Sequence, residues 1–130
     1  MSVEANKAVI HTFIDAFNRQ DFALLAEITT PEVLQEWSYR IPLMHANMHE
    51  HRITITDMVA EGDMVAVRVA TQGYHSGELF GLPPTGRWWT NRMHSFVRIV
   101  DGKIAEIDVL ADVENHIRQI GGVITVAKES

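Results

Sequence analysis

The stretch "TNRMHSFVRIVDGKIAEIDVLAD", residues 90–112, decides the fold. Two runs rich in β-branched and aromatic residues flank Asp101-Gly102-Lys103, and an Asp-Gly pair between such runs predicts a tight antiparallel hairpin. Upstream, "MVAVRVATQGYH" (64–75) reads as a strand of the same kind. "HRITITDMVAEGD" (51–63) alternates around Ile53 and Ile55 and turns at Glu61-Gly62-Asp63. Four strands in succession therefore make a meander. Downstream, "VENHIRQIGG" (113–122) predicts a short helix capped by Asp112 and stopped by Gly121 and Gly122.

The N-terminal part has a different period. Val9, Ile10, Phe13, Ile14 and Phe17 recur at helical spacing, which predicts an amphipathic helix over about 3–18. "NRQD" interrupts it. "DFALLAEITT" starts a second helix with Asp21 as N-cap, closed at "TPE". Residues 30–51 carry the weakest pattern, and Val33–Arg40 is expected as an edge strand. Helices followed by a run of antiparallel strands mean an α+β class. A strongly curved sheet packed on these helices would leave one concave face open.

The bulk numbers limit the function. A chain of 130 residues fits a single domain, 1–130, with a core that needs no staples. Its 46% hydrophobic content places it among globular chains. Seventeen acidic against eleven basic residues give a net charge of −6, which argues against a nucleic-acid partner. The absence of cysteine excludes disulfides and thiolate chemistry. No apolar run reaches membrane-span length and the N-terminus lacks a signal-peptide core, so the expectation is a cytoplasmic protein with no membrane partner.

Between the second and third strands lies "GYHSGELFGLPPTGRWW", residues 73–89. Pro83-Pro84-Thr85-Gly86 makes a rigid turn, and Gly77 and Gly81 let the chain bend. Adjacent Trp88 and Trp89 point to opposite faces of a strand, so one lines the cavity while the other lies outside, against a second subunit. The stretch reads as the rim of a pocket.

The blocks Gly62-Asp63, Arg68, Gly73-Tyr74-His75-Ser76-Gly77, Gly81-Leu82-Pro83-Pro84-Thr85-Gly86, Arg98, Gly102-Lys103-Ile104, and Asp112 with Gln119 and Gly121, in this order, resemble the SnoaL-like polyketide cyclase (ester cyclase) family of the nuclear transport factor 2-like superfamily. The resemblance covers about half the chain densely. It implies a cone-shaped α+β fold, a homodimer paired through the open sheet face, and intramolecular aldol-type ring closure without metal or cofactor. It implies that Asp112 is the carboxylate that removes a proton beside a carbonyl. The chain departs from the pattern in two ways: the helical part before the "EGD" hairpin is short, and Asp108 stands where many members carry Trp.

Each candidate residue has a structural reading beside the functional one. Asp112 is a helix N-cap, an acid/base, or both. Asp108 shares its parity and is a solvent-facing residue or a second carboxylate at the cavity. His75 either donates to substrate or fixes its loop. His94, Phe96 and Arg98 share one face of a strand. If that face is the cavity, they supply a base, an aromatic wall and a cation; otherwise Arg98 pairs with Asp63 or Glu106. Arg68 has the same two readings, and Trp88 is a candidate wall. His45, His49 and His51 offer no spacing that fixes a third metal ligand, so a solvated cluster is expected and no metal site.

The expected function is therefore a cofactor-independent cyclase-like enzyme acting on a hydrophobic carbonyl compound. Asp112 would be the acid/base, with His75 and His94 in support and Arg68, Trp88, Phe96, Arg98 and Asp108 around the substrate. The alternative is a non-catalytic ligand-binding or dimerisation module of the same superfamily. Hydrolysis of an epoxide or a dehydration in the same cone is a third reading.

Overall fold

The computed structural model describes residues 2–127. Helix α1, Val3–Arg19, starts where the Ser2 hydroxyl accepts from the Ala5 N–H at 3.0 Å and ends at Gln20 in the left-handed region. Its apolar stripe buries Ile10, Phe13 and Phe17. Helix α2, Phe22–Glu27, is capped by Asp21, whose carboxylate accepts from the Leu24 N–H at 3.0 Å. Both follow the sequence reading.

Residues 31–47 do not. Instead of an edge strand over Val33–Arg40, the chain forms a third helix, α3, Pro31–Asn47. Pro31 sits in the first turn, where its missing N–H costs nothing. Val33, Trp37 and Ile41, four apart, are the residues the helix buries. Phe13 meets Trp37 edge-on, with ring centroids 5.5 Å apart.

The sheet is a four-stranded antiparallel meander in the order β1-β2-β3-β4. Its strands are β1, Met48–Glu61; β2, Met64–His75; β3, Trp88–Val100; and β4, Lys103–Ala111. Asp101 and Gly102 both take positive φ, 52° and 77°, the pair of angles that a two-residue hairpin with right-handed strand twist requires. Bulges between His49 and Arg52, between Ile55 and Asp57, and between Arg98 and Ile99 bend the sheet. The outer edge of β4 is partly covered: Ile104 donates to the Ile28 carbonyl at 2.7 Å and accepts from Thr30 at 3.0 Å.

The concave face presents Val65, Val67, Val69, Val97, Ile99 and Ile104 to α1 and α3, and together they form the core. Burying each such side chain contributes about 1.5–3 kcal/mol. Helix α4, Val113–Gln119, lies across the far end of the sheet. The Gln119 amide holds it there, accepting from the Thr90 N–H at 2.9 Å and donating to the Thr90 carbonyl. The architecture is the α+β cone that the sequence predicts. Among the described residues, no helix is long and apolar enough to cross a membrane.

Candidate active site

Strand parity builds the site. On β2, Val65, Val67 and Val69 face inward, so Thr71, Gly73 and His75 do too. On β3, Val97 and Ile99 face inward, which brings Trp89, Asn91, Met93 and Ser95 to the same side. Toward this end of the cone the helices stop filling the space. A cavity of about 530 Å³ remains between the sheet, α1, α3 and α4. Its walls are apolar, with Val67 and Val69 from β2, Met93 and Val97 from β3, and Ile107 and Val109 from β4. Leu79 and Phe80 of the loop between β2 and β3 complete the lining.

Polar groups gather at one end of the cavity. Thr71 and Asn91 are cross-strand partners, and both are buried. His51 lies beside them, with its Nε2 2.8 Å from Thr71 Oγ1. Asn91 donates to the Asp112 carbonyl at 2.9 Å, and its Oδ1 accepts from Asn115 at 3.0 Å, so it ties α4 to the sheet. His116 projects from α4 against Trp89, with centroids 4.0 Å apart, and meets Phe80 edge-on at 5.2 Å. Burial pushes the His51 imidazole down to about 4, with the nearby His45 and His116 rings adding to the effect. Burial, then His75, does the same for His116, also to about 4. Both rings are therefore neutral at pH 7, and each can donate from one nitrogen and accept at the other.

The sequence-derived candidates divide between the two faces of the sheet. Asp112 caps α4: its Oδ1 accepts from the Asn115 N–H at 3.1 Å. It is exposed at the rim, between Ala111 and Val113, which line the cavity. His75 is fully buried. The Thr85 N–H donates to its Nδ1 at 3.2 Å, which leaves the ring proton on Nε2 and pins the Pro-Pro-Thr-Gly turn.

His94, Phe96, Arg98, Arg68 and Trp88 lie on the outer face, because each is even-numbered on β2 or β3, whose odd positions carry the buried residues, and Asp108 is exposed opposite Phe96 on that face. Arg98 grips Asp63 with one guanidinium nitrogen 2.8 Å from both oxygens, and reaches Glu106 at 3.4 Å. Its pKa is raised, first by the hydrogen bond to Asp63 and then by that charge. Arg68 pairs with Asp57 at 3.1 Å. Trp88 meets Tyr74 edge-on at 4.8 Å outside, while Trp89 is the member of the adjacent pair that lines the cavity. Asp108 stands opposite Phe96 in the ladder, on the outer face.

The histidine trio also separates. His51 is buried rather than solvated, and His45 donates from Nε2 to the Phe17 carbonyl at 2.9 Å. His49 is exposed, with its ring 6.4 Å from Tyr74. Among the described residues, no group of three His, Asp or Glu stands close enough to hold a metal. The cavity residues that sequence reasoning missed are His51, Thr71, Trp89, Asn91 and His116. For Thr71, Trp89 and Asn91 the signal was available as parity with the valines.

Residues 7–120 match the family model described as SnoaL-like polyketide cyclase. Among curated proteins, aklanonic acid methyl ester cyclase DnrD of Streptomyces peucetius is 33% identical over 79 residues, 61% of this chain and 54% of that protein. Nogalonic acid methyl ester cyclase of Streptomyces nogalater is 33% identical over 72 residues, 55% of this chain and 54% of its own length. The chain thus spans about half the length of these relatives. Aklanonic acid methyl ester cyclase AcmA of Streptomyces galilaeus matches more extensively at 27% identity, over 88% of this chain and 89% of that one. Among solved structures, TsrD from Streptomyces laurentii has the same fold, with a TM-score of 0.88 at 22% identity over 95% of this chain and 99% of that one. Wild-type IdmH from Streptomyces antibioticus superposes with a TM-score of 0.81 at 27% identity, covering 89% and 98%.

Proposed function

The chain belongs to the SnoaL-like polyketide cyclase family, and from that premise we propose that it is a single-domain, cofactor-independent cyclase that closes a ring in a hydrophobic carbonyl compound. The observation that carries the reading is the cavity of about 530 Å³, apolar along its walls and polar at one end. Such a space holds a folded carbon skeleton and orients it through a few polar contacts. In the reaction, a base takes a proton from a carbon flanked by carbonyl groups. The enolate carbon bonds to a second carbonyl carbon of the same molecule, and the resulting alkoxide takes a proton back. Atoms and electrons balance within one substrate, so the protein supplies only orientation, proton transfer and stabilisation of the oxyanion.

Asp112 is the proposed acid/base. Its flanking residues line the cavity, so a substrate filling the cone would present its reacting carbon at the rim, beside this carboxylate. His75 is proposed as a positioning residue, which holds the loop that carries Leu79 and Phe80. The test substrate follows from the relatives' names: aklanonic acid methyl ester, followed by chromatography for a product of unchanged mass. Turnover that falls about 10²- to 10⁴-fold in Asp112→Asn supports the proposal.

One observation favours a second reading, that of a binding module. The Asp112 carboxylate is exposed and already engaged as a cap. Tight binding of such esters with no conversion would establish that reading instead. The proposal extends to a homodimer through the outer face of the sheet, where Trp88 and Phe96 are 43% and 58% exposed. Light scattering at micromolar concentration tests it, and a lone 14.7 kDa species would overturn it.

A further inference from the structure

Among the described residues, four buried ring nitrogens lack a hydrogen-bond partner: His51 Nδ1, His75 Nε2, Trp89 Nε1 and His116 Nε2. They are not scattered. The His51 and Trp89 rings are 5.8 Å apart, and the Trp89 and His116 rings are 4.0 Å apart. An unsatisfied buried donor or acceptor carries its full desolvation penalty and returns nothing to the fold. One such atom is tolerable. Three in one run of adjoining rings, on residues that line the cavity, mark a place where a bound molecule, met by a turn of these side chains, supplies the missing partner.

We propose that His51, Trp89 and His116 form the specificity-determining subsite of the cavity, which holds an enolic or phenolic hydroxyl on a flat ring. This rests on the reading of the cavity as a small-molecule site. The donor inventory selects that chemistry. Indole Nε1 is a donor only, and it matches a hydroxyl oxygen. A neutral imidazole with one free nitrogen can accept the hydroxyl proton, or donate in its other tautomer. Thr71 Oγ1 occupies the Nε2 side of the His51 ring, so Nδ1 is the nitrogen left for a ligand. Both histidines are neutral at pH 7, so the subsite lacks the fixed positive charge that a carboxylate would need on leaving water. The Trp89 ring and the apolar strand wall favour a planar ligand body. The assignment also explains why a SnoaL-like chain places histidines here and keeps them out of solvent.

The test is equilibrium dialysis of the protein at pH 7.5 against two probes of nearly equal size, 1-naphthol and 1-methylnaphthalene. The expected result is that the wild type holds 1-naphthol about 5- to 10-fold more tightly, the margin of one hydrogen bond made to a buried group. In His51→Leu/His116→Leu the affinity for 1-naphthol falls to that for 1-methylnaphthalene, while the latter is kept or improved. Trp89→Phe, which keeps a ring and removes the indole N–H, loses part of the preference. If the double variant does not melt cooperatively, the wild type and Trp89→Phe decide alone. Equal affinity for the two probes in the wild type overturns the subsite, as does an unchanged preference in a folded variant. Failure of both probes to bind overturns the cavity reading and the subsite together. A clear preference without turnover of any ester leaves the subsite standing and removes only the cyclase reading.

Discussion

Gly73 and Trp89 face each other across the β2–β3 ladder, and a Cβ on Gly73 would stand 3.2 Å from Trp89 Cζ2. The same Cβ would meet the His49 carbonyl oxygen and His51 Cα at 3.4 Å. Glycine is thus favoured here by a close approach and not by its backbone angle. Its missing side chain leaves room for the Trp89 ring, which has the His51 and His116 rings as neighbours at 5.8 and 4.0 Å.

Gly73→Ala is therefore expected to cost about 1–3 kcal/mol, the usual range for overpacking a filled site. The change should appear as a lowered melting temperature and an altered tryptophan fluorescence. Gly62→Ala is a contrasting control, because nothing lies within 4 Å of its Cβ position and any cost arises from its φ of 58° alone. An unperturbed fluorescence spectrum in Gly73→Ala would show that the Trp89 ring does not depend on this gap.

Stability should fall as the solution is acidified from pH 6.5 toward pH 4. His51 and His116 have folded-state pKa values of about 4, against 6.5 when unfolded. Between those limits the unfolded chain binds more protons than the folded one, so protonation favours unfolding. The contribution is complete above pH 6.5 and is lost as pH falls through 4. Melting temperatures recorded from pH 7.5 to 4.5 should drop by several degrees, and His116→Gln should flatten the curve. A flat wild-type profile over this range would mean that the two rings are not shielded as their burial implies.

The fold was legible because it follows from periodicity and turn chemistry. The Asp101-Gly102 hairpin and the valine-rich strands fix the meander, and the 3–17 apolar stripe fixes α1. Helix α3 escaped notice because Pro42 lies inside it and its buried positions Val33, Trp37 and Ile41 are few. The site was less legible for a different reason. His94, Phe96 and Arg98 are chemically conspicuous, yet Val97 and Ile99 between them carry the burial signal, and a strand cannot bury both sets. His51 and His116 come together only through the docking of α4 on β3, which no local pattern encodes.

Outer-face substitutions test that distinction. His94→Ala and Arg98→Gln are expected to leave probe binding and turnover within about 2-fold, since neither side chain reaches the cavity. Arg98→Gln should still lower the melting temperature slightly, because it removes the grip on Asp63 and Glu106. Asn91→Leu, by contrast, removes the side-chain bonds that join β3 to the Asp112 carbonyl and to Asn115, while Gln119 and Thr90 still hold α4 to the strand. It should impair binding and stability together. A large loss of binding in His94→Ala would require a different ligand site on the convex face.

The decisive variants are at Asp112, because its two roles respond in opposite ways. Its side chain caps α4, while its carbonyl is held separately by Asn91. Asparagine caps a helix about as well as aspartate, and the Asn91 bond does not depend on the side chain at 112. Asp112→Asn should therefore melt close to the wild type, whatever its effect on chemistry. If Asp112 moves the proton, turnover of the ester falls about 10²- to 10⁴-fold in this folded variant. If Asp112 is only a cap, Asp112→Asn turns over normally, and Asp112→Ala shows a loss of about 1 kcal/mol in stability with little change in rate. Initial rates and melting curves taken on the same samples separate the outcomes. Retained turnover in Asp112→Asn would move the search for the base inward, to the neutral imidazoles of His51 and His116, whose low proton affinity would then limit the reaction to strongly acidified carbon centres.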